Sequence, residues 1–388
     1  MNREDDMKRP GIQRTAALLF VLSCFTGLAF SQSRVRQPFR IPTVPGYVLL
    51  KCDFHMHTVF SDGVVWPTVR VDEAWAGGLD AIAITDHLEY APHEGDVRRD
   101  NNRPYEIAAG DASSLGLLFI RGAEITRKMP PGHFNAIFIK DANRLRVDDW
   151  RRSVDEAAAQ GAFIFWNHPG WNGQQPDGVS RWYPEHTELL EKGLMQGIEI
   201  VNEKEYYPQV HQWCLENNLT LLANSDMHDP VQTAYDAAAG DPRPMTLVLA
   251  KIADEAGVHE ALLSRRTICF WKGNLIGREE FLRPVFGGAF RLLKDTVTVR
   301  GTDWASVPVF NDSDVDLRLS LNGQADGLSV PRTLTCPANK VVRLSVQGNA
   351  DHGTGERVVR IPYTVDNLWI APGKGLEAEV PIYCRFIK

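Results

Sequence analysis

Histidines and carboxylates recur in this chain at spacings that suit metal ligation. Asp53-Phe54-His55-Met56-His57 sets two imidazoles two residues apart, and Asp62 follows in Ser61-Asp62-Gly63. His87 ends Thr85-Asp86-His87, Glu124 ends Gly122-Ala123-Glu124, and His133 stands in Gly132-His133-Phe134-Asn135. His168 lies in Asn167-His168-Pro169, and Asp226 and His228 share Ser225-Asp226-Met227-His228. Nine of the 11 histidines fall between His55 and His228. Imidazole mixed with carboxylate suits zinc, manganese or iron rather than calcium. The set is too large for one tetrahedral ion, so two or three divalent metal ions are expected. Taken singly, a histidine at a strand end is usually a hydrogen-bonded core or surface residue, and Asp-Gly is usually a turn. Taken together and unpaired, these groups would be a costly buried polar cluster, a cost that cations remove.

The elements that would position these residues are legible as alternating apolar runs and helical stretches over residues 47–275. Val48-Leu49-Leu50-Lys51-Cys52-Asp53-Phe54 reads as a strand, Pro67 to Ala76 as a helix opened by proline, and Ala81-Ile82-Ala83-Ile84-Thr85 as a buried strand. Further strands are expected at Leu117–Ile120, Asn135–Ile139, Ala162–Trp166, Gly197–Val201 and Leu219–Ala223, with helices over 148–160, 184–193, 203–217 and 254–264. About seven such units predict a parallel sheet closed or nearly closed into a barrel, which gathers its strand C-termini on one face. In this reading almost every barrel strand carries a ligand there. His186, His211 and His259 lie on predicted helices and read as structural.

The texture changes near Arg283. Asp295–Val299, Ser306–Phe310, Asp316–Ser320 and Val341–Val346 are short β-rich segments separated by turns, as in a small all-β sandwich. Asn367 to Gly375 reads as a strand entering a turn. At the other end, Lys8, Arg9 and Arg14 precede an apolar run that ends at Ala29-Phe30-Ser31, the layout of a secretory signal peptide. The expected domains are therefore a signal peptide at 1–31, a barrel at 32–287 and a sandwich at 288–388. The mature chain would be exported, periplasmic or secreted, with no stable membrane insertion. Cys336 and Cys384 either pair in an oxidising compartment or remain buried thiols.

Composition excludes several classes. The 388 residues are 44% hydrophobic and 23% charged, with net charge −7, which is neither disordered nor collagen-like. The acidic balance, with no basic stripe interleaved with aromatics, argues against a nucleic-acid partner.

Four motifs in order, Asp53-x-His55-x-His57 with Ser61-Asp62-Gly63, Thr85-Asp86-His87, Asn167-His168-Pro169 and Ser225-Asp226-x-His228, resemble the polymerase and histidinol phosphatase (PHP) family of metal-dependent phosphoesterases. The resemblance covers roughly residues 47–275. It implies an α/β fold, a distorted (β/α)7 PHP barrel, here followed by the small Ig-like sandwich. It also implies that His55, His57, Glu124 and Asp226 hold one metal. Glu124 would bridge to a second ion held by His133 and His168, while Asp62, His87 and His228 hold a third, with Asp86 orienting a ligand from behind. The implied activity is phosphoester hydrolysis by a metal-bridging hydroxide, with Asp226 or His228 assisting the leaving group. A barrel followed by a sandwich behind an export signal looks like secreted bacterial phosphodiesterases of small organic diesters.

Substrate contacts are expected from Arg127 and His93, from Asn202 or Glu203 after the sixth strand, and from Trp171 and Tyr206. Arg98, Arg99 and Asn102 sit in a long loop of the kind that carries specificity. The alternatives are a phosphomonoesterase for small sugar or amino-alcohol phosphates and a non-catalytic cell-envelope binding protein with a structural metal site. Oligomeric state is open.

Overall fold

The computed structural model describes residues 35–236, 239–349 and 353–388; the expected signal peptide lies outside these residues. One compact unit extends from Arg36 to Lys388.

The barrel strands are β1 (Val48–Asp53), β2 (Ala81–Ile84), β3 (Leu118–Ile125), β4 (Phe134–Ile137), β5 (Phe163–Trp166), β6 (Gly197–Asn202), the two-residue β7 (Glu205–Tyr206), β8 (Thr220–Asn224) and β9 (Met245–Ala250). They run in the order β9-β1-β2-β3-β4-β5-β6, and β8 pairs with β6. The circle closes between β8 and β9 through a side chain. Thr246 Oγ1 accepts from the Ala223 amide and donates to the Ala223 carbonyl, both at 2.9 Å. At the ligand-bearing end, a parallel bridge between Met56 and Met227 joins the extensions of β1 and β8. Leu50, Cys52, Phe54, Ala81, Ala83, Phe163 and Phe165 fill the interior, small residues beside large ones.

Two strands correct the all-parallel expectation. β4 runs antiparallel to both β3 and β5, and β9 antiparallel to β1. No helix separates β3 from β4. The reversal explains why His133 precedes its strand while Glu124 lies near the end of β3 and the remaining candidate ligands follow their strands. A reversed strand starts where its neighbours end, so His133 reaches the same face.

Helices Pro67–Ala76, Pro184–Glu191 and Pro208–Glu216 each begin with proline, whose fixed φ and missing N–H suit a first turn. The expected helix over 203–217 therefore starts only at Pro208, and the residues before it form the β6–β7 hairpin. Asp149 and Asp254 cap helices Trp150–Ala159 and Glu255–Leu263. The helices Arg103–Ser114 and Glu279–Ala289 and strands β9, β10 (Thr267–Trp271) and β11 (Asn274–Gly277) are not among the elements expected from the sequence. Among the described residues no helix is long and apolar enough to cross a membrane.

The C-terminal strands are β12 (Phe290–Leu292), β13 (Thr296–Arg300), β14 (Trp304–Asn311), β15 (Leu317–Leu321), β16 (Leu328–Ser329), β17 (Thr333–Cys336), β18 (Val341–Gly348), β19 (Gly355–Ala371) and β20 (Lys374–Ile387). β12-β14-β18-β16 form one sheet. The other comprises β13, β20, β19, β15 and β17, and it is continuous with the barrel because β19 pairs in parallel with β11. Alternating burial along β13 and β20 marks two layers with an apolar interior. Cys336 and Cys384 are free and buried in that interior. Burial raises both thiols, Cys336 to about 12 and Cys384 to about 11, so neither is an activated nucleophile.

Candidate metal centre

Loops at one end of the barrel bring His55, His57, Asp62, His87, Glu124, His133, His168, Asp226 and His228 into one cluster. His55 Nε2 and His57 Nε2 lie 3.1 Å apart and each lies 3.0 Å from Asp226 Oδ1. Glu124 stands at the centre. Its Oε2 is 2.7 Å from His87 Nδ1 and 3.5 Å from His57 Nε2, while its Oε1 is 2.8 Å from His133 Nδ1 and 3.7 Å from His168 Nε2. Asp62 Oδ1 lies 3.4 Å from His87 Nε2 and 3.3 Å from His228 Nε2. Four overlapping ligand groups result: His57, Asp62, His87 and His228; His55, His57 and Asp226; His55, Glu124 and His168; and His87, Glu124 and His133. His55, His57, His87 and Glu124 each belong to two groups, and the site is one continuous cluster rather than three separate pockets.

The donor set fits divalent cations. Ligands about 2.0–2.2 Å from a tetrahedral ion stand roughly 3.3–3.6 Å apart, the spacing of Glu124 with His57 and of Asp62 with His87 and His228, while His87 and His133 crowd closer to Glu124. The buried oxygens Asp62 Oδ1, Glu124 Oε2 and Asp226 Oδ1 accept no well-formed hydrogen bond although imidazole nitrogens face them. Such orphans are rare unless something else satisfies them.

Surrounding groups aim the ligands. Glu199, wholly buried in β6, accepts from His55 Nδ1 at 2.9 Å, leaving Nε2 to face the cluster. The same carboxylate accepts from the His168 amide at 2.8 Å, from Asn202 Nδ2 at 2.9 Å and from Asn224 Nδ2 at 2.9 Å. His228 Nδ1 donates to the Asp226 carbonyl at 2.8 Å, and Asn167 Nδ2 donates to Glu124 Oε1 at 3.0 Å. Asp86 accepts from the amide and hydroxyl of Thr58 and the hydroxyl of Ser61, all at 2.6 Å, so it holds the loop carrying Asp62. Asp53 turns away from the cluster, where it pairs with Arg243 and accepts from the Ser225 amide. Arg70, fully buried, donates to the carbonyls of His57, Met227, His228 and Asp229 and so ties two ligand loops together. His168 (φ 29°) and Asp226 (φ 49°) hold left-handed backbone that non-glycine residues rarely adopt, as at other functional sites.

Electrostatics follow from this crowding. Burial would lower His55, but the carboxylates of Asp226 and Glu199 outweigh it and hold the imidazole well above its ordinary value. Burial and the neighbouring His228 and His87 push His57 down to about 3. Burial opposes ionisation of Glu124 and Asp226, yet His87 and His133 around the first and His55 and His57 around the second keep both far below the usual carboxylate range. His228 rises to about 9 because Asp62 and Asp226 overcome its burial.

A cleft of about 340 Å³ opens onto the cluster, and Trp171, Asn172, Asn202, Glu203, Glu205 and Tyr207 form its outer lining. Trp171 lines the cleft, and so do both Asn202 and Glu203, of which one was expected there. Arg127 and His93 are not among the lining residues. Arg127 is drawn off by Glu89 at 2.6 Å and the Val147 carbonyl at 2.6 Å, and His93 sits in a turn where its carbonyl accepts from Asp96 and Val97. Tyr206 points away from the cleft, against Trp271 and Trp369. Arg99 binds the Leu88 carbonyl, and Asn102 binds Asp141, Arg121 and Ala142. Glu199 was not singled out from sequence, although a glutamate inside the apolar run Gly197-Ile198-Glu199-Ile200-Val201 was a signal for it.

A family model described as an Ig-like domain matches residues 291–381. No curated protein matches the sequence. Among solved structures, a two-domain protein from Bacteroides vulgatus containing a predicted PHP-like metal-dependent phosphoesterase is 44% identical. The match covers 89% of this chain and 99% of that one, with a TM-score of 0.84. A proposed metal-dependent phosphoesterase from Bifidobacterium adolescentis is 15% identical over 54% of this chain and 95% of its own, with a TM-score of 0.39.

Proposed function

The chain belongs to the two-domain PHP-like metal-dependent phosphoesterases, and from that premise we propose that it hydrolyses small organic phosphodiesters with two or three divalent ions. The observation that carries the proposal is the composition of the cleft. Among the described residues its lining holds histidines, carboxylates, amides and aromatics, but no lysine or arginine. A phosphomonoester dianion needs extra cations for its free oxygens. A diester carries one negative charge and a second organic arm, which Trp171 and Tyr207 are placed to wall.

His55, His57, Glu124 and Asp226 would hold one ion, Glu124 with His133 and His168 a second, and Asp62, His87 and His228 a third. Bound there, divalent cations neutralise phosphoryl oxygens and lower the pKa of a bound water from 15.7 toward ~7. The protein's own groups do the remainder. Glu124 and Asp226 stay ionised across the working pH range because imidazoles surround them. Glu199 and Asn167 keep His55 and Glu124 oriented. His228, one-third exposed at the cleft mouth, either completes the third ligand group or presents Nε2–H to the departing alkoxide. Two metals per chain assign it the second role, and three the first.

The test is an activity panel of bis(p-nitrophenyl) phosphate, p-nitrophenyl phosphate and a triester on as-isolated protein, with metal measured on the same sample. The diester is expected to turn over fastest and a chelator to stop it. Glu124→Ala should cut turnover at least about a hundredfold and lower bound metal. Unchanged turnover in that variant, or preference for the monoester, refutes the proposal. Full metal with no hydrolysis supports the binding-protein alternative instead. The basic, apolar and small-residue layout of residues 8–31 supports export, and a mature N-terminus after Ser31 is the expected finding by mass spectrometry.

A further inference from the structure

We propose that Trp369, contributed by the Ig-like domain, positions the β6–β7 hairpin and thereby sets how tightly the cleft holds the organic arm of its substrate. Only the identity of that substrate rests on the phosphodiesterase reading.

The hairpin has two faces. Side chains alternate along a strand. Glu203, Glu205 and Tyr207 line the cleft, whereas Tyr206 between them turns outward. The inner face is braced within the barrel: the Glu203 amide donates to the Asn224 carbonyl at 3.1 Å, and the Tyr207 hydroxyl to Glu205 at 3.2 Å. The outer face is braced by elements beyond the barrel wall. The Tyr206 ring lies 5.1 Å from that of Trp369 and 5.8 Å from that of Trp271, and these two tryptophans are 6.2 Å apart. Lys272, in the turn between β10 and β11, donates to the Lys204 carbonyl at 3.2 Å.

Trp369 is itself held rigidly. Its backbone pairs with Ile276 where β19 joins β11, and its indole N–H donates to the Asp366 carbonyl at 2.8 Å. Asn367 bonds the Gly273 and Asp316 carbonyls at 2.9 and 2.7 Å, and Arg318 bonds Asn274 at 3.0 Å. The β19–β20 ladder shifts register on both sides of Trp369. Such irregularities re-aim a side chain, here toward the hairpin. The indole is half-buried against the barrel's own apolar cluster, together with Trp271 and Tyr206. Tyr206 carries the contact of Trp369 to the cleft wall, beside Trp271, and its hydroxyl bonds His211 Nδ1 at 2.9 Å. Removing the indole should loosen the wall without touching any metal ligand.

The experiment uses the full metallated chain with Trp369→Ala, Trp369→Phe, Tyr206→Leu and the Trp369→Ala/Tyr206→Leu double variant. KM for bis(p-nitrophenyl) phosphate should rise about threefold to tenfold in each Ala or Leu variant, a change on the scale of one lost aromatic pair. The value of kcat should stay within about twofold and metal content should not change, because the ligands are untouched. Trp369→Phe should largely restore KM, and the double variant should be no worse than the worse single one. Backbone amides of 203–207 should exchange faster in Trp369→Ala. Unchanged KM and unchanged exchange in a folded, metallated variant overturn the proposal, as do additive effects in the double variant. Should Trp369→Ala not fold, Tyr206→Leu alone carries the test from the hairpin side. Absence of any phosphoester hydrolysis in the wild type refutes the proposed function, and the exchange of 203–207 then decides the positioning role separately.

Discussion

Glu199 illustrates what one buried residue can do for a site it does not enter. Its two oxygens accept from His55, the His168 amide, Asn202 and Asn224. A glutamine there keeps the shape but turns an N–H₂ toward a donor. Glu199→Gln should therefore weaken metal binding or activity about 10–100-fold, read by metal titration, with little change in cleft shape. His186 carries a different consequence. Its Nδ1 accepts from the Tyr183 amide at 3.0 Å and its Nε2 bonds the Pro131 carbonyl at 2.7 Å, an arrangement that requires the neutral ring. Burial lowers its pKa from 6.5 to about 4. The unfolded chain takes up this proton below about pH 6.5 while the folded chain resists until about pH 4, so stability falls as pH drops through that window. His186→Gln lacks the linkage. The stability advantage of wild type over the variant should shrink between pH 6.5 and 4, read by denaturant unfolding of metal-free protein. His186 and His211 were read from sequence as structural, and the bonds of His211 to Tyr206 and of His186 to its helix start are of that kind.

At the scale of elements, the ligand loops depend on close backbone approach. A Cβ on Gly63 would lie 2.6 Å from the His57 carbonyl carbon and 2.7 Å from the Thr58 nitrogen, both backbone atoms that cannot swing aside. Gly63→Ala should displace the loop bearing Asp62, cost about 1–3 kcal/mol and reduce metal at the Asp62, His87 and His228 group, read by thermal unfolding and metal analysis. The strands that carry the other ligands were legible because each is a short apolar run ending in a polar ligand. Strand direction was not. The run from Phe134 to Ile137 has the same composition whether it follows a crossover helix or a tight hairpin, and only its pairing with β3 and β5 reveals the reversal. Arg127 shows the same limit for side chains. Its position three residues after Glu124 suggested a phosphate contact, but Glu89, distant in sequence, takes the guanidinium.

The molecule as a whole joins barrel and Ig-like domain through one hydrogen-bonded sheet. Leu275 and Ile276 pair with Leu368 and Trp369, and a single apolar cluster runs from Leu282 and Phe286 into Val299, Ile361 and Phe386. A chain ending after Leu292 would expose the β11 edge and this apolar face, so it should be recovered aggregated rather than as a soluble barrel, read by size-exclusion chromatography. Ligand types, their order, the α/β region followed by β-rich segments and the net negative charge can all be read from the chain alone. These are local properties: residue chemistry, hydrophobic period and turn residues survive in a one-dimensional reading. Only the folded chain shows which imidazoles share a carboxylate, that Glu199 braces them, that Arg127 is sequestered, and that Trp369 packs on the hairpin of the cleft wall. Each depends on contacts between residues tens to hundreds of positions apart, brought together by barrel closure, one reversed strand and a sheet shared between two domains.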